Sequence, residues 1–183
     1  FSNTISPNKG INLNKPNHSG QTPLHIAIKK RQPRIAGLLI ENGANINTAD
    51  NRGLTPLHYI CRLSKIYTFQ IPNERLKLAK LLIENKANID AVDNKGFTPL
   101  HYICKFSTNS FEIRSQLARL LIKNNADINA KDNDKKVRPL HLAIRKGHFD
   151  IFKILIRHGT NLDVVADLNL GKRLFSYVIS NPV

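Results

Sequence analysis

The tetrapeptide Thr-Pro-Leu-His occurs at residues 22–25, 55–58 and 98–101, and Arg-Pro-Leu-His follows at 138–141, giving spacings of 33, 43 and 40 residues. A unit of this length cannot bury an apolar face by itself, so a chain that repeats it must stack its copies into one continuous core. Each tetrapeptide leads into an apolar helical pattern and then a matching tail, LLIENGANINTAD, LLIENKANIDAVD, LLIKNNADINAKD and, more loosely, ILIRHGTNLDVVAD. The predicted unit is a helix pair plus a turn. From His25 to Ala44 is 19 residues, from His58 to Ala87 29, from His101 to Ala126 25 and from His141 to Thr160 19. The second and third units therefore carry 10 and 6 extra residues between their helices. Register is then recovered, since each of the first three tails has its Asp (Asp50, Asp93, Asp132) 6 residues further on, and one more residue enters near Lys135 and Lys136.

Local chemistry fixes where the helices start and stop. Thr22, Thr55 and Thr98 are N-cap residue types, and Pro23, Pro56 and Pro99 suit a first turn that needs no N–H. The second helix shows a 3.6-residue period in Ile35, Leu38 and Leu39, in Leu78, Leu81 and Leu82, in Leu117, Leu120 and Leu121, and in Ile151, Ile154 and Leu155. Gly43 and Gly159 stand at its end, where a left-handed residue is wanted; Asn125 substitutes acceptably and Lys86 with more strain.

Signature, tail and period together resemble the ankyrin repeat. The resemblance covers roughly residues 8–167 and implies an all-α solenoid of stacked helix-turn-helix units with hairpin-like turns. On that frame the chain is a single domain, 1–183, with a partial unit at 8–21, repeats at 22–54, 55–97, 98–137 and 138–170, and a degenerate C-terminal cap at 171–183 where Arg173 and Phe175 replace proline and histidine.

The segments GLTPLHYICR and GFTPLHYICK place His58 before Cys61 and His101 before Cys104. Catalysis would require these groups to converge with a third, orienting side chain. The histidine recurs in every unit, however, whereas the cysteine position is Ile28 in the first and Ile144 in the fourth. The cysteines are therefore expected to be small buried hydrophobes. Stacked repeats hold equivalent positions about 8 to 10 Å apart, beyond disulfide reach, so both should be free thiols. Similarity to ankyrin repeats implies that each imidazole bonds its threonine and neighbouring turn backbone. A row of histidines does not supply converging zinc ligands, and no metal or cofactor is expected.

Such arrays, by resemblance, bind partners through the turn tips and the inner, concave surface of the first helices. Four residues after each histidine stand Lys29, Arg62, Lys105 and Arg145, a basic column without exception. Arg52 and Lys95 add cations on the turns, and Leu54 and Phe97, just before the tetrapeptides, are expected to contribute apolar contact. Acids lie elsewhere: segments 22–34, 55–73, 98–111 and 138–149 contain no Asp or Glu in a chain of net charge +15. The insertions, with Tyr67, Phe69, Phe106 and Phe111, either pack on one another or form a second binding surface.

Hydrophobic content of 41% with 22% charged residues is globular. No secretory signal or membrane-length apolar run is present, and two cysteines form no disulfide framework. These features predict a monomeric cytoplasmic module, in host cytosol if it is a secreted effector. A start at Phe1 without any methionine suggests a piece of a longer protein. The expected function is non-enzymatic binding of an acidic protein. An electrostatic nucleic-acid module, or the targeting domain of an effector enzyme whose catalytic part lies elsewhere, is the alternative.

Overall fold

The structure, a computed structural model, describes residues 12–62, 73–106, 111–134 and 136–162. Eight helices are found among them: α1 (Pro23–Lys29), α2 (Pro33–Glu41), α3 (Pro56–Arg62), α4 (Asn73–Glu84), α5 (Pro99–Lys105), α6 (Phe111–Lys123), α7 (Pro139–Lys146) and α8 (Phe149–Arg157). Each tetrapeptide opens a helix at its proline, as the cap chemistry predicts. The first helices α1, α3, α5 and α7 pack in sequence order, α2, α4, α6 and α8 form a second row, and each pair is joined across the rows. The core lies between them, with Leu24, Leu57, Leu100 and Leu140 of the tetrapeptides at or near zero exposure.

In the first three units the histidine ties the start of the unit to the turn that ends it. The backbone N–H groups of Thr22, Thr55, Thr98 and Arg138 donate to Nδ1 of His25, His58, His101 and His141 at 3.0–3.1 Å. An acceptor Nδ1 places the ring proton on Nε2. In the first three units Nε2 then donates to the carbonyl just before the next tetrapeptide, Leu54 at 2.9 Å, Phe97 at 2.9 Å and Val137 at 3.3 Å. The imidazole thus caps its own helix and fixes the turn that leads into the following repeat. The role that family resemblance implied is the observed one, and it extends further than the local turn.

The tails form a second, outer ladder. Asp50 Oδ1 accepts the N–H groups of Arg52 and Leu54, and Asp93 Oδ1 those of Lys95 and Phe97, which closes each turn. Side-chain amides then link neighbouring turns: Asn51 Nδ2 donates to the His18 carbonyl, Asn94 Nδ2 to Asn51 and Asn133 Nδ2 to Asn94, each at 3.0 Å. Turns approach so closely that a Cβ at Gly53 would sit 2.7 Å from the Asn94 nitrogen, so glycine is required there by space as well as by its φ of +78°. Residues 12–22 already belong to this ladder, since Asn14 Oδ1 accepts from the Asn45 N–H at 2.7 Å.

Helix ends follow the sequence reading: Gly43, Lys86, Asn125 and Gly159 all have positive φ. The second helices depart from it in one unit. Ile35 and Leu38 were expected in the core but are 47% and 58% exposed, while Ala36 and Ile40 are buried. Leu78 and Leu117, the counterparts of Ile35, are covered because α4 and α6 pack on the preceding α2 and α4, and Leu81 and Leu120, those of Leu38, are half-buried. Among the described residues no helix precedes α1, so none packs on that side of α2. Part of the extra length also becomes helix rather than loop, since α4 and α6 run 12 and 13 residues where α2 and α8 run 9. The remainder of the insertions, with Tyr67 and Phe69, lies outside the described residues.

Two buried arginines at equivalent places hold these longer helices. Arg75 donates from Nε to the Ile60 carbonyl at 2.9 Å and from Nη2 to that of Cys61 at 3.2 Å, satisfying the C-terminal end of α3. Arg114 instead forms a two-pronged pair with Asp150 across the α6–α8 contact, at 2.5 and 3.1 Å. His148, at the same place in the fourth unit, lies 2.9 Å from the Cys104 carbonyl through Nδ1.

Candidate binding face

Cys61 and Cys104 are free and buried, at 1% and 0% exposure. Burial raises both thiols, Cys61 to about 12, which removes the thiolate that a nucleophile needs at neutral pH. Burial likewise lowers His25, His58 and His101, the last to about 4, so these imidazoles are neutral at pH 7. The His–Cys pairs are thus structural in both halves. Among the described residues no cluster of three His, Cys, Asp or Glu side chains is placed to hold a metal.

Lys29, Arg62, Lys105 and Arg145 all fall in the last turn of a first helix. Cations there complement the partial negative charge of the helix C-terminus, which accounts for residue type in each copy. It does not account for the shortage of acids. Among the described residues the ion pairs are Arg52–Asp50 and Arg114–Asp150. Lys29 and Arg145 are exposed, whereas Arg62 and Lys105 are half-buried against aromatic rings. The Lys105 ammonium lies 4.6 Å from the Phe97 ring centroid and 5.7 Å from that of Phe106, and the Arg62 guanidinium carbon is 5.8 Å from the Phe106 centroid. Phe106 stacks in turn on Tyr102 at 5.5 Å. Contacts of this kind orient the cations by about 0.5 to 1 kcal/mol each at exposed sites.

Three expectations are corrected here. Leu54 is 1% exposed and Phe97 9%, so neither offers an apolar contact to a partner. Each sits where the preceding histidine takes its carbonyl, which draws the side chain inward; Phe97 stacks on His101 at 5.2 Å and supports Lys105 from below. Arg52 stays on the surface but is not a free cation: Asp50 holds it at 3.1 Å and the Tyr59 hydroxyl at 3.0 Å. Lys95 is exposed as expected. Phe106, read with the insertions, belongs instead to this face between Arg62 and Lys105. Phe111 opens α6 and is 67% exposed.

Sequence reasoning missed the tyrosines. Tyr59 donates to Asp50 Oδ2 at 2.8 Å and accepts from Gln21 Nε2 at 2.6 Å, and Tyr102 donates to Asp93 Oδ2 at 2.7 Å. Their signal was present, since both duplicated segments read His-Tyr where the other units have His-Ile and His-Leu. For Asp50, burial alone would raise the carboxyl. Hydrogen bonds from the Leu54 N–H, Tyr59 and Arg52 more than reverse this and hold it below its ordinary value. Asp50 and Asp93 are thus each bonded within their own turn and by a tyrosine.

A stack of helix pairs with its repeated histidines and its cysteines built into the framework has the architecture of a repeat scaffold. The sequence matches family models for ankyrin repeats over residues 66–166 (described as three copies) and over residues 8–60 (many copies), and the chain belongs to the ankyrin repeat family. Ankyrin repeats are in general protein–protein interaction modules and typically non-catalytic. No curated protein matches the sequence. No helix among the described residues is long and apolar enough to cross a membrane.

Proposed function

We propose that this chain is a non-enzymatic binding module that holds an acidic protein partner on its first-helix face. The observation that carries the reading is the alignment of Lys29, Arg62, Lys105 and Arg145 at one helical position on four adjoining helices. The first-helix segments contain no Asp or Glu, and neither do the internal segments 63–72 and 107–110, so cations predominate along this run of positions. A field of one sign speeds encounter with an oppositely charged partner and depends strongly on salt. Lys95 extends it onto the turns. The two free thiols suit a reducing compartment.

Nucleic acid is the less favoured partner for this face. Single strands need aromatic faces open to bases, and here Phe97 and Phe106 are already engaged by His101, Tyr102 and Lys105. The test is binding of poly-glutamate to the intact chain and to the Lys29→Glu, Arg62→Glu double variant at two salt concentrations, with circular dichroism to verify folding. The expected result is a loss of affinity on the order of tenfold or more, mainly in the on-rate. Equal rates for both proteins would reduce the column to a solvated face.

A further inference from the structure

Resting on that reading, we infer that the column selects its partner by register: it fits an extended, polyproline-II segment with an acidic side chain at every third residue, running along the stack. Each cation is the fourth residue after a histidine that makes the same bonds in its own unit, so the cations stand at equivalent heights on helices packed side by side. Packed helices are about 8 to 10 Å apart. A polyproline-II chain has three residues per turn and rises about 3.1 Å per residue, so every third side chain returns to the same side after about 9 Å. A β-strand fails, because same-side residues recur about 6.6 Å apart and third residues point oppositely. An α-helix returns a side chain after seven residues and about 10.5 Å, which overshoots and slips out of step along the column.

The middle of the column is where such a segment would anchor. Lys105 is held by the Phe97 ring beneath it and shares the Phe106 ring with Arg62, so two cations of adjacent units are already oriented before a partner arrives. Burial, then the nearby Lys95 with Lys146 and Arg62, lowers the Lys105 ammonium below its ordinary value, against the opposing charge of Asp93. A carboxylate seated there relieves that repulsion. An extended chain without internal hydrogen bonds also keeps its backbone solvated on a surface that offers side-chain cations rather than a free sheet edge.

Two peptides of identical composition discriminate the inference from the broader reading. One repeats Glu-Pro-Pro once per unit of the column; the other gathers the same glutamates at one end and the prolines at the other. The spaced peptide should bind on the order of tenfold tighter, because its charges meet the cations without reordering the chain, and Lys105→Gln should remove most of that preference. Equal affinity for the two peptides, with poly-glutamate still bound, overturns the register and leaves the basic face standing. Failure of all three probes to bind overturns both. Tighter binding of a single-stranded oligonucleotide than of the spaced peptide at the same salt also overturns it, in favour of phosphate recognition.

Discussion

The Nε2 atom of His58 lies 2.9 Å from the carbonyl oxygen of Phe97, 39 residues further along the sequence and directly before the next tetrapeptide. The opposite ring nitrogen accepts the Thr55 N–H at 3.1 Å. One neutral imidazole therefore satisfies a helix N-terminus at the start of its unit and a turn carbonyl at the end of it, and it lies edge-on against Tyr102 of the next unit at 5.4 Å.

Replacing His58 with alanine should leave both backbone groups without a partner in a buried site. The expected cost is about 1 to 3 kcal/mol. Because repeats are stabilised through their neighbours, hydrogen exchange should quicken in the second and third units together. Unchanged exchange in the third unit would show that the bond to Phe97 carries no stability.

The same burial sets a pH dependence. His25, His58, His101 and His148 all have their pKa lowered on folding, burial being the largest cause in each. Below the ordinary histidine value of about 6.5 the unfolded chain takes up protons that the folded chain refuses, so stability falls as pH drops. For His101 the window runs from about 6.5 down to its folded value of about 4 and amounts to roughly 3 kcal/mol at about 1.4 kcal/mol per pH unit. Urea midpoints measured between pH 7 and pH 4 should fall steadily. His101→Gln should flatten the slope, and an unaltered slope would place that ring in solvent.

Cys61 and Cys104 should be dispensable for binding. Both are buried within the first helices, where the flanking units have Ile28 and Ile144. Alanine at either site removes packing without stranding a charge, at a cost on the order of 1 kcal/mol each. Binding of poly-glutamate should be unchanged, and neither thiol should react with an alkylating reagent until the protein unfolds. Rapid labelling of the folded chain would contradict the burial.

Arg114 and Asp150 form the one buried ion pair between second helices among the described residues, with side chains 9% and 21% exposed. Arg114→Met should destabilise by about 3 kcal/mol, since Asp150 is left partly buried without its counter-charge. Adding Asp150→Leu should restore part of that loss. A double variant no more stable than the single one would mean that the apolar pair cannot repack there. Thermal melts of the three variants make the comparison.

The helix starts, the left-handed helix ends and the identity of the repeat are determined by the sequence itself, because caps, prolines and the 33-residue period act within a few residues of where they are written. The basic column was legible for the same reason: a fixed offset from the histidine fixes the face on a helix. Exposure was not. Ile35 and Leu38 satisfy the same 3.6-residue pattern as Leu78 and Leu117, and only the stacking of α4 on α2 and of α6 on α4 buries the latter pair. Leu54 and Phe97 read as exposed turn residues, but the histidine at the start of their own unit takes their carbonyls and both side chains are buried. Arg52 and Lys95 occupy the same offset in sequence, yet Arg52 closes onto Asp50 and Tyr59, while Asp93 bonds Tyr102 and leaves the Lys95 ammonium without an acid within salt-bridge distance. Burial and pairing depend on contacts made 29 to 39 residues apart, which come into existence only when the chain folds back and the units stack.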